Sequence, residues 1–461
     1  MKIITLLLNR FCHSNVLFCL FAGLQGFFIQ AGYAENYPLQ AYESECKSMV
    51  LMDAGSSGSR VMSYQFKRLY GTSQYELIRQ TSLVESEPPL SYGKRLPGHL
   101  IGEMSSLYQL KSGDCIPKTE VFVGGTAGLR HRAVILKNHG KPLLSADLVL
   151  KRVAIELYRQ GVPGNYPENV RLLTGLEEAA FTWLGVNTLR GQLKSEKLQY
   201  GIVELGGGSV QMAFRVRKDE QNSLYRRAAS EIPSSAVNIK RFWRYPQPDI
   251  EVYGESYSGL GINQAYDDLL RLENVTSLSK VCSEYQSCSE VVDKLFERPG
   301  SLRKDRRRPL LYTSMPKVFH LNGYFYDRTV ALGLPNIQTP RMLQLAARYV
   351  CGLKPDGVHE RLQGHYRSDN QFFSEFIKLH NQPPPLEEDF SSSGEPRKPL
   401  AERMCAEFVY MAELLSRLGL KPDTHLLVSK SVSYKGHSYG LSWPLGYSIA
   451  RANDWLKVKE E

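Results

Sequence analysis

The chain has 461 residues, 42% of them apolar and 23% charged, with a formal net charge of +10 at pH 7. This balance excludes a disordered, collagen-like or coiled-coil chain and allows two or three domains of ordinary size. The basic surplus favours anionic ligands without naming one, and no basic stripe with interleaved aromatics points to nucleic acid.

Residues 1–34 read as a signal peptide. Lys2 and Arg10 give a positive start, Val16 to Ile29 form a mainly apolar run, and Gly32-Tyr33-Ala34 is a small-x-small cleavage site. The run is short for a bilayer span, and no later stretch approaches the ~20 apolar residues that a span needs. An uncleaved anchor is the alternative. The expectation is a secreted or periplasmic protein with no stable membrane span after cleavage. Cysteine usage agrees. Beyond Cys12 and Cys19 in the signal lie Cys46, Cys115, Cys282, Cys288, Cys351 and Cys405. An even count in an oxidising compartment predicts disulfides of open connectivity. The simplest choice pairs neighbours: Cys46–Cys115, Cys282–Cys288 and Cys351–Cys405. No CxxC…CxxC or HExxH spacing suggests structural zinc.

Short apolar strands are predicted at Ser48–Met52, Val61–Phe66, Glu120–Val123, Val170–Leu173 and Gly201–Leu205. Between them, Asp147–Gln160 reads as a helix with Val149, Val153 and Leu157 on one face, Ser145 at its start and Gly161 at its end. Strands mixed with helices indicate α/β layers. Asn274-Val275-Thr276 is a glycosylation sequon, meaningful in a eukaryotic host. Arg303–Arg308 is a charge run and reads as a solvated loop, and residues 381–399 read as an exposed insertion rich in proline, serine and charge.

An internal echo joins two segments. LMDAGSSGSRVMSYQF begins at Leu51 and IVELGGGSVQMAFRV at Ile202. Each is a strand ending in an acid (Asp53, Glu204), a turn of glycine and serine, then another strand. We read this as a duplicated strand–loop–strand unit, one copy in each of two related domains. Such turns let the backbone approach a ligand closely, and successive N–H groups in them attract anions. Ser56, Ser57 and Ser209 add donors, and an acid at the strand end can hold a hard cation, directly or through water. Two loops facing across a cleft would hold adjacent phosphates and one metal. Two plain hairpins, whose glycines serve only the turns, are the alternative.

Three further stretches bear on the choice. Val121 to Arg130 (VFVGGTAGLR) runs from a strand into a glycine pair and Thr126. Arg171 to Asn187 (RLLTGLEEAAFTWLGVN) places Glu177 and Glu178 at the opening of a helix. There they are either partners of the helix dipole or the source of one carboxylate that takes a proton from an attacking water. Tyr439 to Ala450 (YGLSWPLGYSIA) sets Trp443 between turn residues, which reads as core packing.

Taken together and in order, these stretches resemble the five motif regions of the nucleoside triphosphate diphosphohydrolase (apyrase) family. Asp53 to Ser57 is similar to its DAGSS loop. Thr126, Ala127, Gly128 and Arg130 match TAG-x-R. Gly175, Glu178 and Trp183 match G-x-x-E followed by tryptophan. Glu204 to Gln211 is similar to DLGGAS-x-Q, and Trp443, Leu445, Gly446 and Tyr447 match W-x-LGY. The resemblance implies an actin-like fold of two ribonuclease-H-like domains, with 35–174 plus 434–461 in domain I, 175–433 in domain II and the nucleotide between them. It implies divalent-metal-dependent hydrolysis of nucleoside tri- and diphosphates, with magnesium, manganese or calcium as cofactor.

The resemblance also implies roles. Glu178 is the expected general base. Ser209, Gln211 and the Gly208 backbone orient the water. Asp53 and Glu204 hold the metal's water shell, with Thr126 nearby at the phosphates and Trp443 supporting from behind. Ser56, Ser57 and Gly58 contact one phosphate, Gly206 and Gly207 another. Tyr326 is the nearest counterpart of the family's base-stacking tyrosine. The usual arginine partner is not evident: Leu400 falls about where it is expected, with Arg397 and Arg403 close by. Glu204 replaces the family aspartate, Ala179 replaces a glycine after the catalytic glutamate, and Gly58 stands where relatives often carry a larger polar residue. These departures bear on metal preference and rate.

GLEEAAFTWLGV and ELGGGS also resemble exopolyphosphatase and guanosine pentaphosphate phosphatase enzymes, which share the fold. The C-terminal SWPLGYSI, the region between Cys351 and Cys405, and the signal peptide favour the nucleotidase. A non-catalytic nucleotide-binding protein is the other alternative, opposed by retention of Glu178, Ser209 and Gln211. No sequence feature sets an oligomeric state, and a monomer is the default expectation.

Overall fold

The computed structural model describes residues 46–86, 90, 98–109, 118–130, 145–193, 199–215, 239–243, 250–298, 315–353 and 400–455. The expected signal peptide, Cys115, the 303–308 charge run, Arg397 and the expected insertion at 381–399 lie outside the described residues. Residues 46–461 form one unit, separate from 1–45.

The first sheet contains β1 (Cys46–Ala54), β2 (Ser59–Arg68), β3 (Tyr75–Ser86), β4 (Lys118–Gly125) and β5 (Val170–Leu172), in the order β3-β2-β1-β4-β5. β2 is antiparallel to both neighbours, whereas β1, β4 and β5 run parallel. The second sheet contains β6 (Gly201–Leu205), β7 (Ser209–Arg215), β8 (Ile239–Trp243), β9 (Ile250–Ser258), β10 (Val318–Gly323), β11 (Ile337–Gln338) and β12 (His425–Val428). Its centre, β9-β7-β6-β10-β12, repeats the order and strand senses of the first sheet, with β8 and β11 added at the edges. The internal echo is therefore the opening hairpin of each sheet. Asp53 stands opposite Arg60 in one, and Glu204 opposite Gln211 in the other. The repeated pair of sheets is an actin-like α/β fold, as the resemblance implied.

Alternation along the strands sets the layers. Met49 and Leu51 of β1 face one way, Val50 and Met52 the other. The second face is covered by α1 (Gly98–Gln109) and α3 (Ala146–Arg159). The first face meets α4 (Gly175–Leu189) and α10 (Trp443–Ala452), which also pack on Ile202, Ala213 and Val252 of the second sheet. Beyond that sheet lie α5 (Ile262–Glu273), α6 (Tyr285–Phe296), α7 (Tyr324–Ala331), α8 (Pro340–Cys351) and α9 (Leu400–Arg417). The short α2 is the single turn Ala127–Arg130, which follows β4 at the site. Among the described residues no helix is long and apolar enough to cross a membrane.

Local signals behaved as read. Ser145 accepts a hydrogen bond from the Leu148 N–H at the start of α3, and Gly161 follows its end with φ of 75°. Val149, Val153 and Leu157 are buried. Cys282–Cys288 and Cys351–Cys405 are bonded as neighbours, and Cys46 is also disulfide-bonded. Asn274 is exposed at the left-handed end of α5. The stretch around Trp443 departs from the turn reading: it opens α10, with Pro444 in the first helical turn, where its missing N–H costs nothing.

Glycine sets the crossing of α4 and α10. A Cβ on Gly446 would overlap the Phe181 carbonyl, and one on Gly185 would stand 3.1 Å from Leu445 Cδ2. Gly446→Ala is therefore expected to destabilise the fold by about 3 kcal/mol, because the obstructing atom is backbone and cannot rotate away. A denaturant midpoint equal to that of the wild type would contradict this close crossing.

Candidate active site

The two glycine–serine turns meet. A Cβ built on Gly207 would lie 3.0 Å from Ser56 Oγ and 3.4 Å from Ser57 Cβ, and one on Gly208 would lie 3.1 Å from Ser56 Cβ and 3.2 Å from Ala127 Cβ. The first turn, the second turn and the α2 loop thus converge. The second turn is fixed from outside by the start of α5. The N–H groups of Ile262, Asn263 and Gln264 donate to the carbonyls of Gly206 and Gly207, and that of Gly259 to Gly208. With its carbonyls held in this way, the backbone of the turn is fixed before any ligand arrives.

Glu177 and Glu178, neighbours at the opening of α4, separate in the structure. Glu177 closes a capping box with Thr174 and pairs with Arg171 at 2.7 Å. The helix-terminus reading fits this residue. Glu178 turns inward, is 6% exposed, and forms an ion pair with Arg130 at 2.5 Å. Arg130, whose place in the TAG-x-R match carried no role, also donates to the Leu173 carbonyl at 2.7 Å. It is thereby held between the end of β5 and the Glu178 carboxylate.

Ser209 and Gln211 are both buried, and the Gln211 amide donates to Ser209 Oγ at 2.6 Å and to Ser256 Oγ at 3.1 Å. Ser256 fills the space that a side chain at Gly175 would need. That contact seats the start of α4, and with it Glu178, beside the Ser209–Gln211 pair. No local pattern marked Ser256, because β9 meets β7 only through the sheet.

The acids sense one another. Burial pushes the Glu178 carboxyl up to about 7, opposed by Arg130 and reinforced by the charges of Asp53 and Glu177. Burial pushes Glu204 up to about 8, opposed by a hydrogen bond from Thr182 and reinforced by the charges of Glu178 and Asp53. Asp53, Glu178 and Glu204 thus share one electrostatic environment. Among the described residues no group of three or more His, Cys, Asp or Glu side chains forms a direct metal cage. An oxygen-only donor set with excess buried negative charge suits a hard divalent cation bound through water.

The other expected residues fall around this centre. Thr126 gives its hydroxyl proton to the Ala54 carbonyl at 3.3 Å, and so ties the end of β4 to the first turn. Trp443 packs behind the site: a Cβ on Gly124, the residue in register with Asp53, would lie 2.5 Å from its ring. Tyr326 is half-buried in the first turn of α7, after Gly323 at the end of β10 nearest Leu205. Arg403, close in sequence to where the family's arginine is expected, is 2% exposed and pairs with Glu407 at 3.5 Å in the core. Asn263, also unmarked by sequence, donates to the Tyr324 hydroxyl at 3.1 Å beside the second turn.

Known proteins resemble this chain. The GDA1/CD39 (nucleoside phosphatase) family model matches residues 39–297. An apyrase of Solanum tuberosum is 24% identical over 447 residues, spanning 89% of this chain and 88% of the apyrase. A guanosine-diphosphatase of Schizosaccharomyces pombe is 24% identical over 499 residues, spanning 93% of this chain and 78% of the other. Among solved structures, nucleoside triphosphate hydrolases from Neospora caninum superpose with a TM-score of 0.52 at 16% identity, covering 93% of this chain and 97% of theirs. That structural likeness bears on the fold alone.

The raised acids make stability depend on pH. A carboxyl whose value in the folded protein exceeds its ordinary 4.5 binds its proton more tightly when folded. Its contribution to stability is complete below that ordinary value and is lost as pH climbs through 7 to 8. With divalent ions chelated, the melting temperature should fall from about pH 5 to about pH 8 more in the wild type than in Glu204→Gln. Added magnesium, manganese or calcium should restore it, most at the higher pH. Identical melting profiles for the two proteins, with no response to cation, would contradict the shared acidic site.

Proposed function

Because the chain belongs to the GDA1/CD39 (nucleoside phosphatase) family, we propose that it hydrolyses nucleoside tri- and diphosphates to the monophosphate and phosphate, using a water activated by Glu178. The observation that carries this reading is the placement of Glu178. It is buried and paired with Arg130, on the helix seated beside the Ser209–Gln211 pair, with the two glycine–serine turns converging next to it.

The first turn, at Ser56, Ser57 and Gly58, takes one phosphate, and the second, at Gly206, Gly207 and Gly208, takes its neighbour. Asp53 and Glu204 hold the water shell of the divalent cation, with Trp443 supporting them from behind Gly124. When bound, the cation neutralises charge on the phosphates. The Ser209–Gln211 pair orients the water, and Glu178 accepts its proton. Arg130 opposes the rise that burial imposes on that carboxyl and aims it. Since the turns grip phosphates rather than one chain length, the same site can remove two phosphates in turn.

Tyr326, half-buried near the start of α7, stacks the base in this reading. The two sheets support lobes at 35–174 plus 434–461 and at 175–433, with α10 returning to the first. The expected signal peptide and the bonded cysteines support a secreted or periplasmic protein.

Glu178→Gln keeps the shape of the side chain and removes the base. It should retain nucleotide binding while losing on the order of 10²-fold or more in rate. The measurement is phosphate release from a nucleotide panel and from polyphosphate, with magnesium, manganese or calcium. Near-wild-type turnover in the variant would refute the role of Glu178, and a preference for polyphosphate would favour the neighbouring enzyme class.

A further inference from the structure

Glu204 is one methylene longer than the aspartate of the family motif that it resembles. The structure shows where that length goes. The Thr182 hydroxyl donates to Glu204 Oε2 at 2.7 Å. Thr182 is 1% exposed and stands four residues after Glu178 on α4, one turn along the same face. Glu204 lies on β6 immediately before Leu205 and the second glycine turn, in register with Gln211. The bond therefore joins the helix that carries Glu178 to the strand that carries the turn and faces the water-orienting pair.

This is not the ordinary use of a buried helical threonine. Such a hydroxyl usually bonds a carbonyl one turn back in its own helix. Thr329 does so here, donating to the Phe325 carbonyl at 2.7 Å. Thr182 instead spends its proton on another element. An aspartate at 204 would stop short by about 1.5 Å, one C–C bond length, and the contact would be lost.

Resting on the function proposed above, we propose that Thr182 is a positioning residue of the site. It holds one Glu204 oxygen and so leaves Oε1 as the oxygen offered to the water shell of the cation. It also fixes the spacing between Glu178 and the 206–209 turn. Glu204 and Thr182 then act as a matched pair, in which the threonine makes the longer acid usable.

The test is a cycle of Thr182→Val, Glu204→Asp and the double variant, with Thr182→Ser as the conservative control. Each purified protein is followed by calorimetric titration with Mn²⁺ alone, by thermal melting, and by kcat and KM for a nucleoside diphosphate. Thr182→Val should weaken Mn²⁺ binding and lower kcat by about 10-fold, with KM changed far less. Thr182→Ser, which keeps the donor, should recover most of both. In the Glu204→Asp background, Thr182→Val should add nothing, because the shorter acid no longer reaches it. Equal losses in both backgrounds would overturn the pairing. So would a lower melting temperature with Mn²⁺ affinity and kcat untouched. If Thr182→Val does not fold, Thr182→Ala removes the same donor with a smaller side chain and should show the same losses; wild-type Mn²⁺ affinity in it would overturn the proposal. A wild type that releases no phosphate from any nucleotide would sink the nucleotidase reading, and the Mn²⁺ cycle would still decide the role of Thr182.

Discussion

Three carboxylates held within one another's field set the terms for this site. Asp53 and Glu204 end equivalent strands of the two sheets, and Glu178 enters from the helix layer between the sheets. Buried like charges repel, and a site that gathers them needs opposing charge. Arg130 supplies part of it to Glu178. The hydrogen bond from Thr182 eases Glu204. The remainder suits a hard divalent cation, the group that the proposed reaction calls for. The electrostatic imbalance and the proposed chemistry are thus one feature seen twice.

Duplication explains how one chain builds such a site. Each sheet opens with a hairpin whose first strand ends in an acid and whose turn is made of glycine and serine. A single copy offers one turn and one acid. Two copies facing each other across α4 and α10 offer two glycine–serine turns and two acids. The crossing of α4 and α10 is close because Gly446 sits directly on the Phe181 carbonyl and Gly185 meets Leu445. Since Glu178 lies on the same helix as Phe181, the packing of the C-terminal segment bears on the position of the proposed base.

Much of this was legible along the chain. The turns, the cap at Ser145, the acids opening α4 and the neighbouring disulfides Cys282–Cys288 and Cys351–Cys405 are short-range features, set by residues a few positions apart or by the simplest pairing. Other residues gave no such sign. Ser256 is an ordinary strand serine until β9 is laid beside β7, where it meets both Gln211 and the start of α4. Arg403 lies close to where the family's arginine is expected, and only the packing shows that it pairs with Glu407 in the core. The stretch around Trp443 read as a turn, since a proline beside a tryptophan gives no sign of a helix until the register places it in the first turn.

By itself the sequence determined the two echoed turns, the acids at their strand ends and the helix that begins at Gly175, because backbone propensity and side-chain spacing are local properties. Only the tertiary structure decided that Glu177 turns to Arg171, that Arg130 is the partner of Glu178, and that Thr182 reaches Glu204. Those outcomes depend on which surfaces come together. A carboxylate acquires its role from the charge and burial that distant segments impose on it.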